Sequence, residues 1–181
     1  MTNGGGFDSF YEEHVWEVYG FFGYRVRSRE DAEDLTQLTF ERALKAWDRF
    51  DESRASASTW VLTIARNLLV DHYRHRSSRR DEPRDPTDPA RPEPASDPPQ
   101  DRALGISPEL EGALGTLDER QRELMALRYG ADLSGAEIAE LTGLSLANVQ
   151  QIASRALRKL REELEMAEGS ATQDPSQGGA G

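Results

Sequence analysis

The chain contains no cysteine. That absence removes disulfides, thiolate metal sites and thiol nucleophiles together. Histidine is scarce, with His14, His72 and His75 only. None stands in the H-E-x-x-H spacing of a helical metal site, so no metal is expected. Neither a glycine-rich phosphate loop nor a nucleophile–base set occurs, so no cofactor and no enzymatic activity are expected. No apolar run approaches the roughly 20 residues that cross a bilayer, which argues against membrane insertion. The start, MTNGGGFDSF, lacks the basic and apolar segments of a signal peptide, and a cytoplasmic location is the expectation. Strand-like alternation is missing as well. The remaining fold class is all-α.

Charge is plentiful but uneven. The 181 residues carry a net charge of −11, which by itself speaks against nucleic acid. Its distribution says more than its sum. Residues 1–80 hold 12 basic and 13 acidic side chains, whereas residues 106–168 hold 7 and 12. Within the first part, residues 54–80 carry six arginines (Arg54, Arg66, Arg74, Arg76, Arg79 and Arg80) against one acid, Asp71. That is the basic patch of the molecule.

Apolar spacing lays out the elements. Residues 1–6 are glycine-rich and read as disordered. Phe10, His14, Val18 and Phe21/Phe22 recur at helical steps between Phe7 and about Val26, and their aromatics read as core. Ser28 opens a second helix with Asp31 as its capping partner. The acidic run of Glu30, Asp31, Glu33 and Asp34 suits the positive end of the helix dipole. Ala32, Leu35, Ala43, Trp47 and Phe50 make its inner face. Asp51–Ser58 is small and polar, a loop. A third helix is expected from about Thr59 to His75, with Val61, Ile64, Ala65, Leu68 and Leu69 as the buried stripe.

Seven of the nine prolines then fall between Pro83 and Pro99 among charged residues. No apolar period survives there, so 81–105 reads as a flexible, Pro-rich acidic linker. It divides the chain into two small helical domains, 7–80 and 106–168, followed by a disordered tail, 169–181. Ser107-Pro108 starts a helix with a cap and a proline at its first position. Asp118 caps a second, whose Leu124, Leu127 and Tyr129 are expected to point inward.

The last helical pair reads as a helix-turn-helix. Ser134 caps the first helix, and Glu137 completes a capping box. Gly143 sits in the turn, where a backbone with positive φ is needed. Ser145 caps the second helix. Val149, Ile152, Ala156, Leu157, Leu160 and Leu164 mark its buried face. Ser145, Asn148, Gln151 and Arg155 lie on the other side, free to face a DNA groove. Two helices of an ordinary bundle would share most of this pattern, but the tight turn, Ala139, Gly143 and the two caps favour DNA binding.

Three blocks in this order resemble the RNA polymerase sigma factors of the compact, extracytoplasmic-function (ECF) type. DAEDLTQLTFERALKAW (31–47) is similar to the second helix of that family's N-terminal domain. STWVLTIARNLLVDHYRHR (58–76) is similar to its promoter −10 helix, and LDERQRELMALRY with LSGAEIAELTGLS to its −35-binding C-terminal domain. The resemblance implies a factor without catalysis that brings core polymerase to promoter DNA and starts transcription. By position it makes Asp34 and Gln37 contacts to core polymerase. Trp60, Arg66, Asn67, Tyr73, Arg74 and Arg76 become the −10 set. Ser145, Asn148, Gln150, Gln151 and Arg155 become the −35 set. Arginines suit phosphates, and Asn and Gln pair bidentately with adenine. A Trp at the edge of the loop gives a stacking platform for an unpaired base, or simply a core residue. An anti-sigma factor is a further partner implied by the resemblance alone.

The chain also departs from the family. Leu38 stands where Glu is usual, and Leu146-Ala147 replaces the Arg-Glu pair that housekeeping relatives place at the start of the −35 helix. Two other readings therefore stay open. One is a degenerate sigma-like protein that binds polymerase without reading a −35 box. The other is a free-standing helix-turn-helix regulator.

Overall fold

The computed structural model describes residues 4–81 and 106–171, with side chains described over 6–77 and 106–169. The expected linker from 82 onward and the tail beyond 171 lie outside the described residues. Everything described is helix, turn or short connection, as an all-α chain requires.

Three helices build the first domain: α1 (Gly4–Gly23), α2 (Arg29–Ala46) and α3 (Ala57–Asp81). On α1, Phe7, Phe10, His14, Val18, Phe21 and Phe22 are buried, at steps of three and four that keep one helical face turned inward. The helix begins at Gly4, not after the glycines: the backbone of Gly4–Gly6 is already helical. Ser28 caps α2 by accepting from the Asp31 amide at 3.3 Å. The Asp31 carboxylate points elsewhere, toward Arg76 on α3. Helix α3 runs six residues past His75, because nothing breaks the arginine-rich end before Pro83.

The second domain is organised on α7 (Leu146–Ala171), against which α4 (Pro108–Thr116), α5 (Glu119–Met125) and α6 (Gly135–Thr142) all pack. Ala113, Leu114, Leu117, Met125, Ala156 and Leu160 form its own small core. Between α5 and α6 the chain makes one π-helical turn, Ala126–Gly130, closed by the Ala131 amide on the Ala126 carbonyl at 2.9 Å. The wider turn shifts the register of the residues after it. Leu124 and Leu127 are fully buried as expected, but Tyr129 is rotated out to 50 % exposure. Leu157 also departs from expectation at 40 % exposed. The buried stripe of α7 runs through Val149, Ala156 and Leu160, and Leu157 lies on its edge.

The two domains share a core. The cluster built on Phe21, Phe22, Val61, Leu62 and Leu69 continues without interruption into Leu124, Leu127, Leu133, Ile138 and Val149. Helix α1 meets the π turn, and α3 meets α6. At the first contact the backbones of Gly20 and Gly130 touch. A Cβ on either glycine would overlap the other's carbonyl oxygen.

Gly143 ends α6 in the left-handed region, with φ 70° and ψ 13°, and its amide bonds the Ala139 carbonyl at 2.9 Å. Nothing stands within 4 Å of a Cβ built there, so a substitution meets backbone strain alone. Gly143→Ala is expected to lower stability by about 1 kcal/mol through the left-handed penalty. Urea unfolding should show the midpoint falling with an unchanged m-value.

Candidate nucleic-acid interface

The loop before α3 is tied down locally. The Asp51 carboxylate accepts from the Ser53 hydroxyl at 2.6 Å and from the Ser53 amide at 2.9 Å. Those two bonds hold its carboxyl below the ordinary 3.8. Ser56 then caps α3, its hydroxyl accepting from the Thr59 amide at 3.2 Å. Beside the loop lies an aromatic group. Phe50 and Trp60 have ring centroids 4.7 Å apart, Trp47 stacks on Phe50 at 5.4 Å, and Phe10 closes on Trp60 at 5.7 Å. Trp60 is therefore half-buried, packed against the core of the first domain.

From that point α3 presents a single outer ridge. Trp60, Asn67 and Arg74 recur every seven residues, and Thr63 and Val70 fall between them. Seven residues turn a helix through nearly two full turns, so the three stay within about 40° of one another over about 21 Å. Asn67, Val70 and Arg74 are exposed. An aromatic surface, an amide and a guanidinium aligned along one helix provide stacking, base-edge pairing and phosphate contact in sequence.

The other expected −10 residues face differently. Arg66 points at the second domain. Its Nε donates to Glu123 at 2.8 Å, its Nη1 donates to the Leu141 carbonyl at 3.1 Å, and its side chain is 26 % exposed. Tyr73, seven residues on, donates its hydroxyl to the Arg25 carbonyl. Arg76 turns toward α2, its Nη1 donating to Asp31 at 3.2 Å. The His72 Nε2 lies 4.0 Å from the same carboxylate. The side chains of Arg79 and Arg80 lie outside the described residues.

On α2, Asp34 and Gln37 are both exposed, and Gln37 donates to Glu41 at 2.9 Å. Gln37 borders a groove between α1 and α2 in which Tyr11, Trp16 and Leu44 stand out into solvent. Leu38 is also exposed, at 43 %.

In the helix-turn-helix, both caps form as the sequence indicates. Ser134 and Glu137 make a reciprocal capping box, with the Ser134 amide donating to the Glu137 carboxylate at 2.7 Å. The Asn148 amide donates to the Ser145 hydroxyl at 3.2 Å and so opens α7. Ser145, Asn148, Gln150, Gln151 and Arg155 are all exposed. Asn148, Gln151 and Arg155 share one ridge at steps of three and four, and Gln150 flanks it.

Residues that sequence reasoning passed over cluster where the domains meet. Arg25 is 8 % exposed and pairs with Glu119 across the seam. Arg27 lies 3.6 Å from Glu111 at its edge. Burial pushes the Tyr24 hydroxyl above its ordinary 10.0, and the facing Tyr129 adds to that. No periodicity marks these positions, because each takes its partner from the other domain. Among the described residues no helix is long and apolar enough to cross a membrane, and no group of three or more His, Asp or Glu is placed to hold a metal.

Two family models match: Sigma-70 region 2 over residues 10–79 and Sigma-70 region 4 over residues 113–162. The Mycobacterium bovis protein named probable RNA polymerase sigma-C factor is 36 % identical over 166 residues, covering 90 % of this chain and 85 % of that protein. The Streptomyces coelicolor ECF RNA polymerase sigma factor BldN is 32 % identical over 160 residues, covering 85 % of this chain. This chain spans 58 % of BldN's length. Among solved structures, CnrH in complex with the cytosolic domain of CnrY superposes with a TM-score of 0.66 at 25 % identity, over 91 % of this chain and 90 % of that one.

The Glu137 bonds carry a pH signature. The Ser134 hydroxyl and amide hold the Glu137 carboxyl below its ordinary 4.5. A lowered folded value means that the stabilisation is complete above 4.5 and is lost as pH falls through the lowered value. Glu137→Gln keeps an acceptor but removes the titration. Its stability relative to the native chain is therefore expected to rise as pH drops from about 5 to about 3. Chemical unfolding followed by circular dichroism across that range checks it, and parallel curves would disprove the assignment.

Proposed function

The chain belongs to the ECF-type RNA polymerase sigma factors, and from that premise we propose how its two domains divide the work. As a sigma factor it directs core RNA polymerase to specific promoters and starts transcription. It is an initiation factor with no chemistry of its own, and it works in the cytoplasm.

The first domain opens the promoter. The observation that carries this is the ridge of Trp60, Asn67 and Arg74 on α3, beginning at a loop fixed by Asp51 and Ser56. Trp60 supplies a stacking face where an unpaired −10 base leaves the duplex. Extruding a base costs a few kcal/mol, which stacking and base-edge contacts offset. Arg74 neutralises phosphate along the strand. Arg66, Tyr73 and Arg76 complete the −10 set once their present partners release them. Asp34 and Gln37 face core polymerase, and Gln37 lies at the rim of a groove whose exposed apolar side chains suit a helical partner surface.

The second domain reads the −35 element through Asn148, Gln151 and Arg155, with Ser145 and Gln150 at the flanks. Residues 145–154, the cap and start of α7, carry no Lys or Arg, so this domain's hold on DNA alone is weak. Tethering to polymerase compensates by raising its effective concentration. A protein partner that covers the DNA-facing surfaces is the remaining element of the reading. The similarity to CnrH, solved in complex with the cytosolic domain of CnrY, supports it.

Reconstitution with bacterial core polymerase on genomic DNA, with transcript ends mapped, tests the whole reading. Promoter-specific transcripts are expected, and core binding without transcription would favour the degenerate sigma-like alternative. Arg74→Glu is expected to abolish those transcripts and leave core binding intact. Unchanged transcription would remove α3 from the promoter.

A further inference from the structure

Three arginines crowd one small cavity. It lies where the connection after α1 meets α4 and α5. Arg25, Arg27 and Arg122 line it, with Tyr24, Glu111 and Gly115 in the same wall. None of the three arginines belongs to the promoter or polymerase sets. The cavity measures about 90 Å³, room for a few waters or one phosphate-sized group.

The charge on this wall is poorly answered. Arg25 is 8 % exposed and gives one nitrogen to Glu119, whose own side chain stands mostly in solvent. Arg122 donates its Nη2 to the Leu117 carbonyl, a neutral acceptor, at 3.0 Å. The Arg27 Nε stands 3.6 Å from Glu111. Among the described residues no acceptor meets the Nε of Arg25 or of Arg122, although both atoms are closed off from solvent. A guanidinium carries five N–H donors in a fixed fork. One that is short of both acceptors and water costs free energy, and an anion beside it recovers part of that cost.

We propose that the cavity is a phosphate-binding site, which takes the free ion or a phosphate group carried on a small molecule. Charge and geometry select the same class. Three guanidiniums face one carboxylate on the wall, Glu111, which favours a multiply charged oxyanion over chloride. The guanidinium fork matches two oxygens of a phosphate at once. The Tyr24 hydroxyl offers a further donor. The site uses no residue assigned to DNA, so it stands apart from the promoter reading.

Gly115 provides a variant that tests the site and leaves every arginine in place. A Cβ built there meets nothing within 4 Å. Gly115→Glu therefore adds a carboxylate at the wall, which supplies the missing charge from within the chain. Arg122→Gln removes one cation and keeps a donor for the Leu117 carbonyl. Thermal unfolding of the full-length protein is followed by circular dichroism in about 10 mM sodium phosphate and in sodium chloride of equal ionic strength. Phosphate is expected to raise the native midpoint by about 4 °C over chloride. Both variants are expected to lose most of that difference. Phosphate also stabilises folded proteins through exclusion from their surface. That contribution persists in the variants, so the reading is the difference between native and variant chains.

Adenosine triphosphate without magnesium separates the two sources. A native-specific shift with sodium phosphate marks the free ion as sufficient. A shift with the triphosphate alone, lost in the same variants, marks a carried phosphate. Equal responses of the native chain and Gly115→Glu to both ligands would overturn the proposal. So would a phosphate shift that survives undiminished in both variants, because the ion would then sit elsewhere.

Discussion

Two residues without side chains set the distance between the halves of this molecule. Where Gly20 of α1 meets Gly130 at the end of the π turn, backbone touches backbone. That approach brings Leu124 and Leu127 into reach of Phe21 and Phe22, so that one apolar cluster serves both domains. The second domain needs this support. Its private core consists of a few small and medium side chains around α7, little for a unit of that size to bury. The π turn contributes in the same direction. It widens the helix where α1 must fit, and it leaves Tyr129 at the surface.

Polar chemistry at the seam follows from that apolar fit. Arg25, removed from water, finds Glu119, and the Tyr73 hydroxyl takes its carbonyl. Arg66 is only partly covered and has two acceptors. A buried ion pair adds little net stability, because desolvation offsets much of the attraction, but breaking one side is costly. Such pairs therefore select one docking geometry more than they strengthen it.

Much of this was legible in the amino-acid order. Capping chemistry is local, so Ser28, Ser107, Asp118 and Ser134 marked helix starts that the structure keeps. Gly143 marked the left-handed turn for the same reason. The spacing of Phe10, His14, Val18 and Phe22 identified a buried face, since period 3.6 leaves no other outcome. The aligned Trp60, Asn67 and Arg74 were within reach as well, being seven residues apart. What escaped was whatever depends on the partner domain. A phosphate-seeking arginine and one paired with Glu123 look alike in a string of letters. The π turn was equally hidden, because no residue in ALRYG announces an extra residue per turn. Leu157 failed as a core position because helix periodicity defines a broad face, and packing against α4 and α5 uses only part of it.

The Glu123 pair has a consequence for how salt should act on this protein. When a cation leaves water to meet DNA, the displaced counterions make binding steeply dependent on ionic strength. Arg66 does not leave water. Under the proposed function it exchanges one anionic partner for another, and added salt weakens the old pairing along with the new. Its share of the salt dependence then largely cancels, while Arg74 and the other surface arginines retain theirs. A count of phosphate contacts taken from the slope of affinity against salt would therefore fall short of the true number.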